Sequence, residues 1–375
     1  RERRKENRMK EEQLISSYQA ILLITVFRIV IAFSYLPAVN TPPGNQDIWI
    51  SIILSIPWTI AISFPILYLS NKFSNLTLIE YTEKILGKAI GKIVGIAYAV
   101  FLLFYVITFV AILSEVLTST IFPQTPSWIL ILILLITSSY ISFKGLEGLG
   151  RGAEIFVPII FLVILTFLIF GFNLFDFNEL LPILKDSTFS QINIGARDIA
   201  FKFTDIIILA MFVPNLENRK ELNKIFIRSL LISMLVLIIV VLCTQLSLGI
   251  EQTKHADFPF FTFSRLINLF DFIQRIESIY VMAWTVANVW KVSGYLYSLT
   301  INLKQTLNSK SNEVYIIPMS ILIFILSTIL KNNYSVVGVS QPLQFLLYFS
   351  SIAFMFAIPC ITLIVYFFRR KKLRE

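Results

Sequence analysis

Apolar positions in this chain gather into long runs, and the polar positions collect between them in short connecting stretches. A helix needs roughly 20 apolar residues to cross about 30 Å of hydrocarbon. Ten runs meet that need, at about 15–38, 49–69, 94–122, 128–143, 155–172, 197–216, 225–248, 274–298, 314–330 and 343–366. The fourth is short, and its flanks extend it. The pattern predicts an all-α membrane protein with about ten transmembrane helices.

The connecting stretches orient the bundle. Outside the runs, Lys and Arg number 22 on one alternating set of connections and 4 on the other. The basic side of a membrane protein faces the cytoplasm, so both termini are expected there, which requires an even number of crossings. The expected organisation is a basic N-terminal segment (1–14), a single transmembrane domain (15–366) and a basic tail (367–375). The eight residues ahead of Met9 carry no weight in this reading, and the first run is too long for a cleavable signal peptide.

Two connections carry structure of their own. Thr77-Leu78-Ile79-Glu80 reads as a capping box that opens an amphipathic helix to about Gly91. With Ile79, Leu86, Ala89 and Ile90 on one side, that helix is expected to lie along the cytoplasmic membrane surface. The connection at about 249–273 holds Phe258, Pro259, Phe260, Phe261, Phe263 and Leu266. It reads either as a lid over the outer face of the bundle or as ordinary loop packing.

Composition narrows the class further. Of 375 residues, 56% are hydrophobic and only 15% charged, too few charges to cover a soluble domain of this size. The net charge of +9 lies along the flanks of the runs, so the expected partner is the lipid bilayer and not nucleic acid. Cys243 and Cys360 both sit inside apolar runs and His255 is the one histidine, which argues against a disulfide scaffold or a metal site. Gly148-Leu149-Gly150-Arg151-Gly152-Ala153 fits G-x-G-x-x-A, but no strand precedes it, so it is read as a flexible cytoplasmic turn. No cofactor is expected, and no nucleophile, nucleotide-loop or zinc-protease motif points to an enzyme.

Ionisable groups inside the runs carry the functional signal, because each is costly there unless paired or solvated. Arg28 falls near the middle of the first span, and Asp205 near the middle of the sixth, with Lys202 one turn earlier. Glu115 is in the outer part of the third span. The eighth holds Arg275 and Glu277 near its outer end and Lys291 nearer its inner end. An arginine cannot shed its proton, so Arg28 needs an anion or water, and Asp205 is its expected partner. The pair reads as part of a cavity for a zwitterionic or charged ligand, or as a salt bridge that fixes helix packing. Arg275 and Glu277 read as structural charges. Lys291 reads as a stand-in for a coupling cation or as a lysine reaching for the interface.

Ten spans divide into halves of five, about 15–172 and 197–366, which must cross in opposite directions. That is the 5+5 inverted-repeat arrangement, in which ligands bind where the first helix of each half is interrupted. Those first helices are the two that carry Arg28 and Asp205. The halves show no identity with each other, and the first span has no internal Gly or Pro.

Several stretches carry a resemblance to a known family. Ile15-Ser16-Ser17-Tyr18-Gln19 opens the first span, which closes on Leu36-Pro37. Gly145-Leu146-Glu147 leads to Arg151, Glu154 and Pro158, and Asn178-Glu179-Leu180-Leu181-Pro182-Ile183-Leu184 precedes the sixth span. Phe258-Pro259 is followed by Arg275-Ile276-Glu277, Trp284 and Lys291. By their order and spacing the chain resembles the B-subunit of nutrient germinant receptors of bacterial spores. These are the endospore germination permeases, a branch of the amino acid–polyamine–organocation transporter superfamily. One departure stands out: where the family commonly has a Pro-Phe-Gly-Glu-like element, this chain reads Phe201-Lys202-Phe203-Thr204-Asp205. The carboxylate is kept and the helix breakers are gone.

The resemblance implies an inverted-repeat bundle in the spore inner membrane that recognises a small nutrient, most often an amino acid. It implies two partner subunits, a membrane protein with cytoplasmic domains and a lipoprotein. The ligand would settle between spans 1, 3, 6 and 8, lined by Thr25, Thr108, Phe203 and Thr204. Arg28 would hold its carboxylate, or neutralise Asp205 until it arrives. Lys202, Glu115 and Lys291 remain as coupling or structural charges. The alternatives are an ion-coupled transporter of amino acids or related solutes, and a passive conduit for water or ions within a complex.

Overall fold

The computed structural model describes residues 14–34, 41–256, 258–267, 276–333 and 341–371. Those residues are almost wholly helical. In chain order the helices are α1 (Ser17–Ser34), α2 (Ile48–Lys72), α3 (Leu78–Leu86), α4 (Lys88–Thr120) and α5 (Ser127–Phe143). Then come α6 (Gly145–Phe170), α7 (Phe189–Lys202), α8 (Asp205–Phe212), α9 (Leu222–His255) and α10 (Pro259–Leu266). The last four are α11 (Glu277–Thr306), α12 (Ile316–Asn333), α13 (Gln341–Ser351) and α14 (Ile358–Arg369). Among the described residues, six helical stretches are long and apolar enough to cross a membrane, and two shorter apolar helices lie at Ser17–Ile31 and Ser127–Phe143.

Among the described residues each apolar run of the sequence falls on helix, but four details differ from expectation. The capping box forms, with Thr77 and Glu80 bonding each other's backbone N–H. The amphipathic helix then ends early, because Gly87 at φ 92 breaks it and α4 begins at Lys88. Ala89 and Ile90 therefore belong to the next helix, on its exposed side. The G-x-G-x-x-A stretch is not a flexible turn but the first turns of α6. Its glycines are contact surface: the Trp290 indole lies so close to Gly152 that an added Cβ would run into it, and Trp290 Nε1 donates to the Leu149 carbonyl at 3.0 Å. Small residues let membrane helices approach in this way.

The apolar connection after α9 folds as α10, with Phe260 and Phe263 buried. The Phe260 ring meets Phe167 and Tyr280 at 5.8 and 5.1 Å, so α10 is packed onto α6 and α11. The fourth difference is the sixth run, which is split into α7 and α8.

The core is centred on α1, α8 and α11. Every residue of α8 is buried, while α1 is flanked by α6, α9 and α11. The entry to α1 is tied to the exit from α8: Ile15 N–H donates to the Asn215 carbonyl at 3.0 Å, and Glu217 N–H donates to the Ile15 carbonyl at 3.1 Å. Ser16 and Gln19 form a reciprocal cap on α1, and Gln19 Nε2 reaches Glu154 on α6 at 3.2 Å. At the opposite end, the connection before α7 is strapped to the start of α2. Asp47, fully buried, accepts the Leu184 N–H at 3.0 Å and the Ser187 hydroxyl at 2.6 Å.

Between α13 and α14 the chain winds as a π-helix, Ile352–Ala357. Pro359 follows, and proline has no N–H to give. The carbonyl five residues before it, that of Phe354, accepts the Tyr98 hydroxyl of α4 at 2.9 Å. Tyr105, two turns further along α4, bonds Ser351 at 2.6 Å.

The Gly152–Trp290 contact sets a clear expectation. Gly152→Val should destabilise the bundle by about 1–3 kcal/mol through overpacking, seen as a lower unfolding midpoint of the purified protein in detergent. An unchanged midpoint would show that the indole has room to move aside.

Candidate functional site

The break between α7 and α8 places a carboxylate at the heart of the bundle. Phe203 leaves the helix with φ −90 and ψ 63, and Asp205 opens the next one. No Gly or Pro causes this. Aromatic and β-branched residues are only modest helix formers, and Phe203-Thr204 is held in its bent course by side chains from elsewhere. The Thr204 hydroxyl lies 2.9 Å from the Tyr295 hydroxyl, which donates to Asp205 Oδ1 at 2.8 Å. Asp205 in the first turn of α8 also meets the favourable end of that helix's dipole.

Its charge partner is Lys291 of α11, with Nζ 3.5 Å from Asp205 Oδ1 and both side chains fully buried. Lys291 Nζ also donates to the Phe27 carbonyl of α1 at 2.6 Å. The ammonium lies over the rings of Phe109 and Tyr295, 4.4 and 5.5 Å from their centroids, where a π-face attracts a cation. This approach needs a small residue on α11, since a Cβ at Gly294 would strike the Phe27 ring. One lysine thus joins α1, α8 and the face of α4.

Arg28 takes a different partner from the one expected. The carboxylate of Asp205 is engaged by Lys291 and Tyr295, and Arg28 turns to α9. Its Nη1 donates to Ser229 Oγ at 3.1 Å, and the guanidinium lies 5.3 Å from the centre of the Phe226 ring. The side chain is 1% exposed. Among the described residues, its Nε and Nη2 have no hydrogen-bond partner, and neither does Asp205 Oδ2. A buried group with donors to spare favours an anion strongly.

The remaining expected residues fall in several places. Thr25 and Thr108 are buried, but their hydroxyls bond their own helices, at the Ile21 and Phe104 carbonyls. Phe203 and Thr204 form the break itself. Lys202 ends α7, so the bend removes it from the face of Asp205. Glu115 is buried in α4. Glu277 stands in the first turn of α11, where a carboxylate suits the helix end. Arg275 lies outside the described residues. Sequence reasoning missed Tyr295, Phe109, Ser229 and Phe226. Tyr295 had a signal: it follows Lys291 by four residues, which puts both on one face of a helix. Ser229 and Phe226 had none, because they meet Arg28 only through the packing of α9 on α1. Among the described residues, no three His, Cys, Asp or Glu side chains are arranged to hold a metal ion.

Comparison with known proteins follows the same line. The family described as spore germination protein, Spore_permease, matches residues 14–335. Spore germination protein KB of Bacillus subtilis (strain 168) is 23% identical over 328 residues, covering 87% of each chain. Spore germination protein GerQB of Bacillus cereus is 25% identical over 327 residues, covering 86% of this chain and 88% of its own. In fold the chain is similar to Mhp1, a nucleobase-cation-symport-1 family transporter, in a closed conformation with bromovinylhydantoin bound. The TM-score is 0.69 at 11% identity, over 96% of this chain and 80% of that one. It is also similar to a Na+-coupled sialic acid symporter in a substrate-bound outward-open state, with TM-score 0.62 and 14% identity over 90% and 78% of the two chains.

A paired test bears on the buried centre. Lys291→Met leaves a lone buried carboxylate and should cost about 3–5 kcal/mol. Adding Asp205→Asn should recover most of that loss, measured by thermal unfolding of the two singles and the double. Equal losses that simply add would show the two groups do not act as a pair.

Proposed function

The chain belongs to the spore germination protein family and is an integral membrane protein of the spore inner membrane or cell membrane; from that premise we propose that it is the membrane subunit of a nutrient germinant receptor. A small nutrient, an amino acid foremost, binds between α1, α4, α8 and α11 and shifts the conformational balance of the bundle. The single domain, 15–366, crosses the membrane ten times as two inverted halves, with both termini in the cytoplasm. The chain works beside a membrane subunit with cytoplasmic domains and a lipoprotein subunit, to which the change of shape is passed.

The observation that carries this reading is Arg28. A fully buried guanidinium with one bond to Ser229 and two nitrogens unpartnered among the described residues is matched by a carboxylate. An amino acid supplies one, and its ammonium complements Asp205 Oδ2. Lys291 and Tyr295 hold Asp205 in position for that second contact.

A second reading, an ion-coupled transporter of amino acids or related solutes, is favoured by one feature. The Lys291 ammonium rests on a helix carbonyl and a carboxylate, the ligands a monovalent cation would take. The solved proteins that share the fold include a symporter described as Na+-coupled.

Spores carrying Arg28→Ala, with normal protein level in the membrane, should need about ten- to a hundredfold more nutrient for half-maximal germination, the worth of one charged hydrogen bond. Full response at the original concentration would remove Arg28 from the ligand. For the second reading, gradient-driven uptake of labelled amino acids into vesicles should be lost in the Lys291→Met, Asp205→Asn double variant. Complete absence of counterflow in the unaltered protein would retire it.

A further inference from the structure

Apart from the Asp205 centre, α7 is the stretch least suited to hydrocarbon. Its 14 residues include Arg197, Asp198 and Lys202 as well as Gln191 and Asn193. At about 1.5 Å per residue, Lys202 is about 20 Å along the axis from Phe189, so polar groups accompany the helix down to the break. One side of α7 is closed by α2. There the Trp58 indole N–H donates to Asn193 Oδ1 at 2.8 Å, and the Ser51 hydroxyl donates to the Ile192 carbonyl at 3.0 Å.

Another side is open. Arg197 Nη2 and Asp198 Oδ1 are 3.5 Å apart, a loose pair, and their side chains are 43% and 22% exposed. Gln191, Asp198 and Lys202 are spaced by seven and four residues and so fall on one line along the helix. The Tyr348 ring of α13 stands beside this face, edge-on to Phe201 at 5.7 Å. Tyr348 also hydrogen-bonds Asp198 and Arg197, yet both side chains stay partly exposed, and hydrocarbon does not solvate an exposed guanidinium and carboxylate; such groups at membrane depth face water.

We propose that this face of α7, walled by Tyr348, lines a water-filled lane along which a zwitterionic solute travels from the outer surface to the Asp205 centre. The lane offers both signs of charge in close succession. A zwitterion finds a partner for each end, whereas a solute of one sign meets like charge at every step. Asp198 and Lys202 are then specificity-determining residues for entry, distinct from the groups that hold the bound ligand. The proposal rests on the reading that an amino acid binds at Asp205 and that α7 begins on the outer side.

Thiol labelling of the full chain tests it, in a Cys243→Ala, Cys360→Ala background reconstituted in vesicles of known orientation. A membrane-impermeant methanethiosulfonate should reach Asp198→Cys and Lys202→Cys from the outer face. Both should react at least about tenfold faster than Leu162→Cys, a lipid-facing control on α6 that is 63% exposed. A thiol in hydrocarbon stays protonated and unreactive, and each unit of raised pKa removes about tenfold of its thiolate. A mixture of L-amino acids should slow the reaction at Lys202→Cys. Rates equal to the Leu162→Cys control would overturn the lane.

Lys310→Cys, in the connection from α11 to α12, marks the face opposite the lane mouth. Reaction of Lys310→Cys and Asp198→Cys from the same face also overturns the lane, and so does reaction of Asp198→Cys from the inner face alone. Fast labelling with no protection by amino acids would sink the ligand reading at Asp205, and with it this use of the lane.

Discussion

A charge buried in the middle of a membrane bundle has to be answered, and the answer given to Asp205 organises this fold. Lys291 supplies the countercharge and Tyr295 the hydrogen bond. Both come from one face of α11, and that face is brought in by Gly294, which leaves room for the tip of the Phe27 ring of α1. The same lysine bonds the Phe27 carbonyl, so α1 and α8 are joined through α11. The bend between α7 and α8 follows from this arrangement, because Thr204 and Asp205 are both held by Tyr295. Removing the bend would pull the carboxylate away from the groups that make its burial tolerable.

Arg28 has a different standing. Asp205 is served on one oxygen by two partners, while Arg28 is held by a single serine and an aromatic face. A structure concerned only with holding itself together gains little from a cation with spare donors in its core. Both groups keep hydrogen-bonding capacity that the described residues do not use, Arg28 on two nitrogens and Asp205 on one oxygen. The sensor and transporter readings proposed above both draw on this arrangement: a resident charge pair for stability and unused capacity for recognition.

Much of this was legible in the residues. Span positions are set by the length of apolar runs, since the hydrocarbon thickness leaves little choice, and among the described residues every run falls on helix, the sixth with a break. The costly charges at 28, 205 and 291 could be picked out for the same reason. Which of them pair could not. Asp205 and Lys291 are joined by the crossing of α8 and α11, and no spacing along the chain encodes that distance. The bend at Phe203-Thr204 was invisible because neither residue breaks a helix by itself; its cause sits 90 residues away, in the hydroxyl of Tyr295. The glycines of the G-x-G-x-x-A stretch misled in the other direction. They looked like slack, but Trp290 of α11 packs on Gly152, and Ile15 and Gln19 pack on Gly150, so they are a seat for their neighbours. Gly87 did the reverse, dividing one expected amphipathic helix in two.

The π-helical turns near the C-terminal end carry a consequence for how such chains are compared. A π turn holds one residue more than an α turn for nearly the same rise, so each one rotates everything after it by about 100° relative to a plain α-helix. Beyond Ala357, the residues of α14 therefore face in directions that a count from α13 misplaces. The register of α14, with Tyr366 packed on Phe73 and Arg369 bonding the Ile85 carbonyl, depends on that offset. A cousin with a straight helix here would need one residue fewer to present the same side chains to α3. Insertions inside a membrane span are usually read as alignment errors; at this position a single-residue gap would be the trace of a real change in winding.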